Sequence, residues 1–161
     1  MRALRRLATR HAGPFERLYL VCDRLALALA PLLVKAGLER LERPAAVLES
    51  WTKGALFDCN MCGRCVLAAT GMTCPMNCPK GLRNGPCGGV RANGNCEIEA
   101  ALRCVWLEAW EGAGRMRHGG RIGELQAPLD HRLKGSSAWL RRMVERARLG
   151  SAPPCACFRI Y

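Results

Sequence analysis

The sequence lacks the short motifs that mark most enzymes. Neither GxGxxG nor GxxxxGK[ST] occurs in its 161 residues, so no nucleotide-binding loop is predicted. No HExxH spacing occurs either, and we expect the three histidines, His11, His118 and His131, to be surface residues. The pair Asp130 and His131 does not indicate a catalytic dyad, because neighbours in sequence do not orient one side chain on the other. We therefore predict no catalytic residue in this chain.

Long hydrophobic runs are also absent. The longest uncharged apolar stretch, residues 25–34, has ten residues and contains Pro31, whereas a membrane-spanning helix needs about 20. The basic N-terminus is not a secretory signal, since Asp23 and Arg24 interrupt the apolar stretch and no clear cleavage site follows. The sequence therefore predicts a cytoplasmic protein with no membrane partner.

Acidic residues are scarce outside the middle of the chain. The whole sequence has 25 Lys and Arg against 13 Asp and Glu, a net charge of +12. Residues 55–114 carry 5 basic and 5 acidic side chains, whereas residues 1–54 carry 10 and 5, and residues 115–161 carry 10 and 3. We interpret the basic flanks first as solvated surface, with an acidic partner as the functional alternative. Nucleic acid is a poor candidate, because the neutral segment lies between the arginines.

Cysteine is abundant, with 11 residues in the chain. In a cytoplasmic protein this density indicates metal or redox chemistry rather than disulfides. Eight of the cysteines are candidate metal or cofactor ligands: Cys59, Cys62, Cys65, Cys74, Cys78, Cys87, Cys96 and Cys104. The other three are predicted to be incidental, with Cys22 a buried small hydrophobe on a helix and Cys155 and Cys157 in a C-terminal tail.

The spacing of the ligands favours iron over zinc. Cys59, Cys62 and Cys65 follow one another at successive x2 spacings, and Cys78 precedes Pro79, as in ferredoxin runs. Structural zinc usually takes separate CxxC pairs. The prediction is two 4Fe–4S clusters, with zinc as the first alternative and free or disulfide-bonded cysteines as the second. Spacing does not show which thiols share a cluster.

A further constraint comes from Cys96 and Cys104. If both were helical, they would lie about 12 Å apart along the axis, too far for one small site. Either the two cysteines belong to different sites, or Cys96 precedes the helix.

Helical periodicity predicts four helices. The first starts at Pro14, with Phe15, Leu18, Tyr19, Cys22, Leu25, Ala26 and Leu29 on its apolar face, and is kinked or ended by Pro31. The second spans residues 44–53, with Val47, Leu48 and Trp51 on one side and Gly54 as its stop. The third begins after Cys96, buries Ile98, Ala101, Leu102, Val105 and Ala109, and ends at Gly112. The fourth is capped by Ser136, buries Trp139, Leu140, Met143, Val144 and Ala147, and stops at Gly150.

Between the second and third helices, residues 57–95 show neither helical nor strand periodicity. So long an irregular segment requires another source of stability, which metal coordination would supply. The predicted fold is a small single domain, mainly α, with a long irregular, cysteine-rich, metal-nucleated centre. Its parts are an N-terminal helical segment (1–54), a metal-cluster module with a closing helix (55–112) and a basic C-terminal segment with one helix (113–161).

Residues 74–106, CPMNCPKGLRNGPCGGVRANGNCEIEAALRCVW, closely resemble the methylenetetrahydrofolate reductase C-terminal family. The resemblance extends back through CNMCGRCVLAATGMTC (59–74) and forward to QAPLDHRLKGSSAWL (126–140), and NGPCGG between CP elements is its specific signature. Residues 1–54 match weakly.

The resemblance implies a cysteine-rich module fused to, or encoded beside, a flavin-containing reductase. Relatives in acetogenic bacteria form a small iron-sulfur subunit, which implies that the eight candidate cysteines are cluster ligands. The chain has no room for the flavin-binding barrel of about 250 residues, so FMN or FAD would belong to the partner. The expected role is a non-catalytic electron-transfer subunit for folate one-carbon metabolism, with a ferredoxin-like donor. A structural zinc module that docks the reductase and a basic zinc protein that binds nucleic acid are the alternatives.

Overall fold

Five α-helices surround the cysteine-rich loops in the computed structural model, which describes residues 2–149. Within those residues there is no β-strand, and the only strand-like pairings are the isolated bridges Val90–Cys96 and Asn95–Arg103. The prediction of a small, mainly helical single domain is confirmed. The predictions for Gly150, Cys155 and Cys157 lie outside the described residues. The helices are α1 Arg2–Arg10, α2 Ala12–Ala36, α3 Leu38–Phe57, α4 Val105–Ala113 and α5 Ala138–Leu149.

The predicted helix boundaries at Pro44 and Gly54 were wrong, and Pro31 does not end its helix. Helix α2 continues through Pro31, and α3 includes both Pro44 and Gly54 before it ends at Phe57. Both prolines are exposed, so water can satisfy the carbonyl groups that lose an amide partner. The actual stop is Asp58, whose backbone is left-handed at φ 54° and whose N–H donates to the carbonyl of Gly54.

Only part of the predicted apolar row of α2 faces inward: Phe15 and Tyr19 pack against the main core cluster, but the larger aliphatic residues do not. Ala12, Glu16 and Ala30 are buried, whereas an outer row is exposed. Small residues let α1, α3 and α5 approach α2 closely, and the carboxylate of Glu16 is buried because it is hydrogen-bonded. Cys22, predicted to be buried, is exposed. The outer row consists of Leu18, Val21, Leu25, Leu29 and Leu32.

Helix α3 also turns its predicted apolar face outward. Val47, Leu48 and Trp51 are exposed, and the side chain of Trp51 is 77% accessible. The face that packs inside instead carries Glu49 and Lys53 with Phe57, and the two charged residues are buried because they pair with each other. The prediction that these helices serve simply as core was therefore wrong for these faces.

Residues 97–104 form a compact loop rather than the first turns of a helix. The N–H of Cys96 donates to the carbonyl of Leu102 at 2.8 Å, and the N–H of Cys104 donates to the carbonyl of Gly94 at 3.0 Å. These long-range bonds replace the helical ones, so α4 begins only at Val105 and Ile98 is exposed. Cys96 precedes the helix, which was one of the two arrangements that the sequence allowed.

The fourth predicted helix is confirmed to within two residues. Helix α5 begins at Ala138, and the hydroxyl of Ser137 accepts the N–H of Leu140 at 3.2 Å, the contact of an N-cap. No helix in the described part of the chain is long and apolar enough to cross a membrane.

Candidate metal centre

The loop after α3 is shaped by left-handed residues. Met61 and Gly63 have φ values of 45° and 72°, which turn the backbone back on itself between the cysteines. Gly63 has a second constraint, because a Cβ there would lie 2.7 Å from the Cβ of Leu133. The N–H of Gly135 donates to the carbonyl of Met61 at 2.8 Å. The segment before α5 therefore packs directly on the CNMCGRC loop.

Four cysteines form what we call the inner thiol group: Cys59, Cys62, Cys65 and Cys74. The pKa of Cys74 is raised to about 12, foremost by burial and then by the nearby thiols of the other three. Burial likewise raises the pKa of Cys59, and Cys65 and Cys62 are again among its charged neighbours. These four thiols lie within electrostatic reach of one another, and a bound metal would have to displace their protons.

We call the other four, Cys78, Cys87, Cys96 and Cys104, the outer thiol group. Cys78 packs against the small core cluster of Cys96, Leu102 and Val105. The exposed Cys87 donates its S–H to Oε1 of Glu97 at 3.6 Å, next to the strand-like pairing of Cys96. Cys104 is the N-cap of α4, beside the Asn95–Arg103 bridge. Within this group, the neighbouring pair that the structure shows is Cys78 and Cys96.

Glycines flank the outer group as well. The N–H of Gly89 donates to Sγ of Cys87 at 3.4 Å, a contact of the kind by which backbone amides tune metal-bound sulfur. A Cβ on Gly89 would collide with the carboxylate of Glu97, which also pairs with Lys80. A larger residue at position 89 would therefore disturb the loop that carries Cys87.

Neither group is an assembled ligand set. Among residues 2–149, no three His, Cys, Asp or Glu side chains are arranged so that they could hold a metal ion. The chemistry of the donors nevertheless fits thiolate-bound iron or zinc, because each group offers four sulfur ligands.

Sequence reasoning missed two charged residues beside the inner group. Glu49 and Lys53 on α3 are 1% and 2% exposed, and Oε1 of Glu49 lies 2.5 Å from Nζ of Lys53. Burial lowers the pKa of Lys53, but the neighbouring Cys65 and Glu49 outweigh it and raise the pKa above its usual value. Glu49 and Lys53 are four residues apart on a predicted helix, and this spacing could have indicated an ion pair from the sequence. It was overlooked because charged residues are rarely buried.

The histidines lie at the surface, as predicted: His11, His118 and His131 are all exposed. Asp130 does not pair with His131. It accepts hydrogen bonds from the side chain and the backbone of Arg132, which lower its pKa to about 2. The prediction that this is not a catalytic dyad is consistent with that pairing.

Comparison with known proteins identifies the family of this chain. A family model described as methylene-tetrahydrofolate reductase C terminal matches residues 38–132, more than half of the sequence. The chain belongs to this family. Membership associates it with methylenetetrahydrofolate reductase. No curated protein matches the chain, and no solved structure matches it.

The residues that the family model matches can be compared with the helices and cysteines of the structure. The methylenetetrahydrofolate reductase C-terminal region includes both thiol groups and starts at Leu38, the first residue of α3, so it also includes Glu49 and Lys53. It ends at residue 132, before the SSAWL element that caps α5. Helices α1 and α2 lie outside the matched region.

Proposed function

We propose that this chain is an iron-sulfur accessory subunit that relays electrons to or from the flavin of a separate methylenetetrahydrofolate reductase subunit. The observation that carries the proposal is the inner thiol group, four neighbouring cysteines whose charges act on one another, with four further cysteines in the same irregular segment. Four thiolates are the usual ligand complement of a 4Fe–4S cluster. The inner group would hold one cluster and the outer group the other.

Each group has one buried cysteine, Cys74 or Cys96, but the outer group also has a thiol at the surface, Cys87, which suits a relay. Cys74 of the inner group is 8% exposed and lies in the main core with Phe57 and Met72, whereas Cys87 of the outer group is exposed. In this proposal the outer group meets the electron donor, for which a ferredoxin-like protein is suitable. The clusters would carry single electrons, and the partner's FMN or FAD would convert them to the hydride chemistry of the folate.

The exposed apolar rows of α2 and α3 support association with the reductase subunit. Exposed large apolar side chains in extended rows are typical of protein interaction surfaces. Exposed arginines accompany both rows, so a partner with an apolar surface and an acidic rim would complement them. The arginines are Arg17, Arg24, Arg40 and Arg43.

The test is oxygen-free purification of the chain with its reductase, followed by iron and acid-labile sulfide analysis. We expect about eight iron and eight sulfide per chain, since two clusters of four are proposed. Chemically reduced clusters should then reduce the flavin in a stopped-flow measurement. Flavin that stays oxidised beside reduced clusters, although the potentials permit transfer, would contradict the relay.

A structural zinc module is the second candidate. The inner thiol group favours it, because four neighbouring cysteines are also the ligand complement of a closed tetrahedral zinc site. Zinc in place of iron, with no sulfide and no visible absorption, would identify this function.

A further inference from the structure

Helix α3 carries a row of residues from a buried ion pair to the inner thiol group. Glu49, Lys53 and Phe57 follow at intervals of four, so they share one face of the helix. Phe57 packs in the cluster that contains Cys74, with Cys65 against it. The charged end of the row is as buried as its apolar end. The row therefore places a cation inside the protein next to sulfur ligands.

Lys53 lies one helical turn before Phe57, which packs in the core cluster of Cys74 with Cys65 against it. Burial lowers the pKa of Lys53, but Cys65 and Glu49 together outweigh it and raise the pKa. Lys53 in turn is among the charges that act on Cys59 and on Tyr19, and Cys65 acts on Tyr19 as well. Electrostatic influence between Lys53 and the inner thiol group is thus mutual.

The ammonium group is held in place by Glu49 and Trp139. Glu49 binds it through Oε1, and Oε2 of Glu49 accepts the hydroxyl of Ser137 at 2.8 Å and the N–H of Trp139 at 3.2 Å. The ring of Trp139 lies 4.7 Å from Nζ of Lys53, a cation–π distance. Glu42 accepts the N–H of Ser137 at 2.7 Å. The position of Lys53 is fixed before any ligand binds.

The hydrogen-bonding capacity of Lys53 is not exhausted by these contacts. An ammonium group has three donors, and within residues 2–149 the hydrogen-bond partner found for Nζ is Glu49. Donors therefore remain for sulfur atoms of the inner group. Hydrogen bonds and charge near thiolate sulfur are the means by which a protein sets the potential of a metal site.

We propose that Lys53 is a positioning residue whose positive charge raises the reduction potential of the cluster held by the inner thiol group. Glu49 partly neutralises that charge and so limits its effect on the cluster. The inference rests on the proposed iron-sulfur function. Reduction adds one electron to the cluster and forms or breaks no bond in the protein, and Lys53 keeps its protons throughout. A fixed positive charge in a buried site stabilises the reduced, more negative form more than the oxidised one.

The experiment is a redox titration of the purified complex, with dithionite as reductant and EPR as readout. Lys53→Met should lower the reduction equilibrium constant of one of the two clusters about tenfold, or about 59 mV for one electron. Glu49→Gln should shift the same cluster in the opposite direction, because it frees the charge of Lys53. Lys53→Arg should stay close to wild type.

Arg10→Met is the control for net charge, since Arg10 is exposed on α1, which carries no thiol, and its removal should leave both potentials unchanged. A purely structural role for the ion pair would lower stability in both variants without opposite shifts in potential. Shifts of the same sign, or no shift, would overturn the role of Lys53. If Lys53→Met does not fold, the shift in Glu49→Gln alone decides the question.

Iron and sulfide content separate this inference from the proposed function. A wild-type complex without iron or sulfide would refute both. A wild-type complex with two clusters whose potentials do not respond to Lys53→Met and Glu49→Gln would refute only the role of Lys53.

Discussion

The backbone of Gly71 lies directly against the backbone of Gly112. A methyl group on Gly112 would collide with the carbonyl oxygen of Gly71 and would come within 2.9 Å of its carbonyl carbon. Gly71 itself has φ 61° and approaches the carbonyl of Ala109 equally closely. This contact docks the loop that ends in Cys74 onto α4.

We therefore expect Gly112→Ala to destabilise the fold by about 1–3 kcal/mol, because the overlap is with backbone that cannot move aside. Gly114→Ala is the matched control, since a Cβ there meets nothing closer than 3.7 Å. Thermal unfolding of the two variants should differ clearly. Equal melting temperatures would mean that the loop and the helix separate without cost.

Glu16 predicts a pH dependence of stability. Its carboxylate accepts the N–H groups of Arg117 and His118 at 2.7 and 3.0 Å, about 100 residues along the chain. Burial raises the pKa of Glu16, but these hydrogen bonds and the ring of His118 outweigh it, so the pKa is below the usual 4.5. A lowered folded-state pKa stabilises the fold fully above the unfolded value, and the effect is lost as pH falls through the folded one.

Glu16→Gln should accordingly lose about 1–3 kcal/mol of unfolding free energy at neutral pH. The difference from wild type should shrink as the pH falls below about 4.5. Urea unfolding at a series of pH values measures this difference in unfolding free energy, and the exposed Glu145→Gln is the control. A difference that stays constant into acid would show that the charge of Glu16 is not involved.

Serine substitutions test the assignment of ligands. Cys59→Ser, Cys62→Ser and Cys65→Ser should lose the iron of the inner group, and Cys87→Ser the iron of the outer group. Cys22→Ser should keep all of it, because Cys22 is exposed on α2 and belongs to neither group. Iron and sulfide per chain are the measurement. If Cys65→Ser kept all its iron, or Cys22→Ser lost iron, the ligand assignment proposed here would be wrong.

Removal of the metal tests whether it nucleates the irregular segment. The backbone of residues 58–104 has few regular hydrogen bonds, and its only short helix is Pro75–Asn77. Chelation should therefore make this segment sensitive to proteases while the helical circular dichroism is partly kept. Mass spectrometry of the fragments locates the cuts. Equal protease resistance with and without metal would contradict a nucleating role.

The exposed rows of α2 and α3 predict where the reductase subunit binds. Leu25→Glu and Trp51→Glu should weaken the complex at least tenfold while leaving the stability of the chain almost unchanged, since both side chains are exposed. Raised salt should weaken it further, because the arginine rim contributes to association. Calorimetric titration measures the affinity. Wild-type affinity in both variants would place the interface on another surface.

Much of the architecture was predictable because it depends on local chemistry. The helical class follows from apolar periodicity, and the serine cap of α5 was predicted one residue early, at Ser136 instead of Ser137. The irregular centre follows from its glycine, proline and asparagine punctuation. The helix start at Pro44 was mispredicted because an exposed helix tolerates proline where water can replace the lost hydrogen bond, and the stop at Gly54 because the chain turns only at the left-handed Asp58.

The sequence by itself determined the number of thiols, their x2 spacing and the family, since these depend only on residue types along the chain. Only the tertiary structure decided which thiols are neighbours, because Cys74 joins Cys59 and Cys65 through loop closure that spacing does not encode. It also decided which helix faces are buried. Periodicity predicts that the most apolar face of a helix is the buried one. In α3, Glu49 and Lys53 are buried instead of Trp51, because the two charges pair with each other next to the inner thiol group.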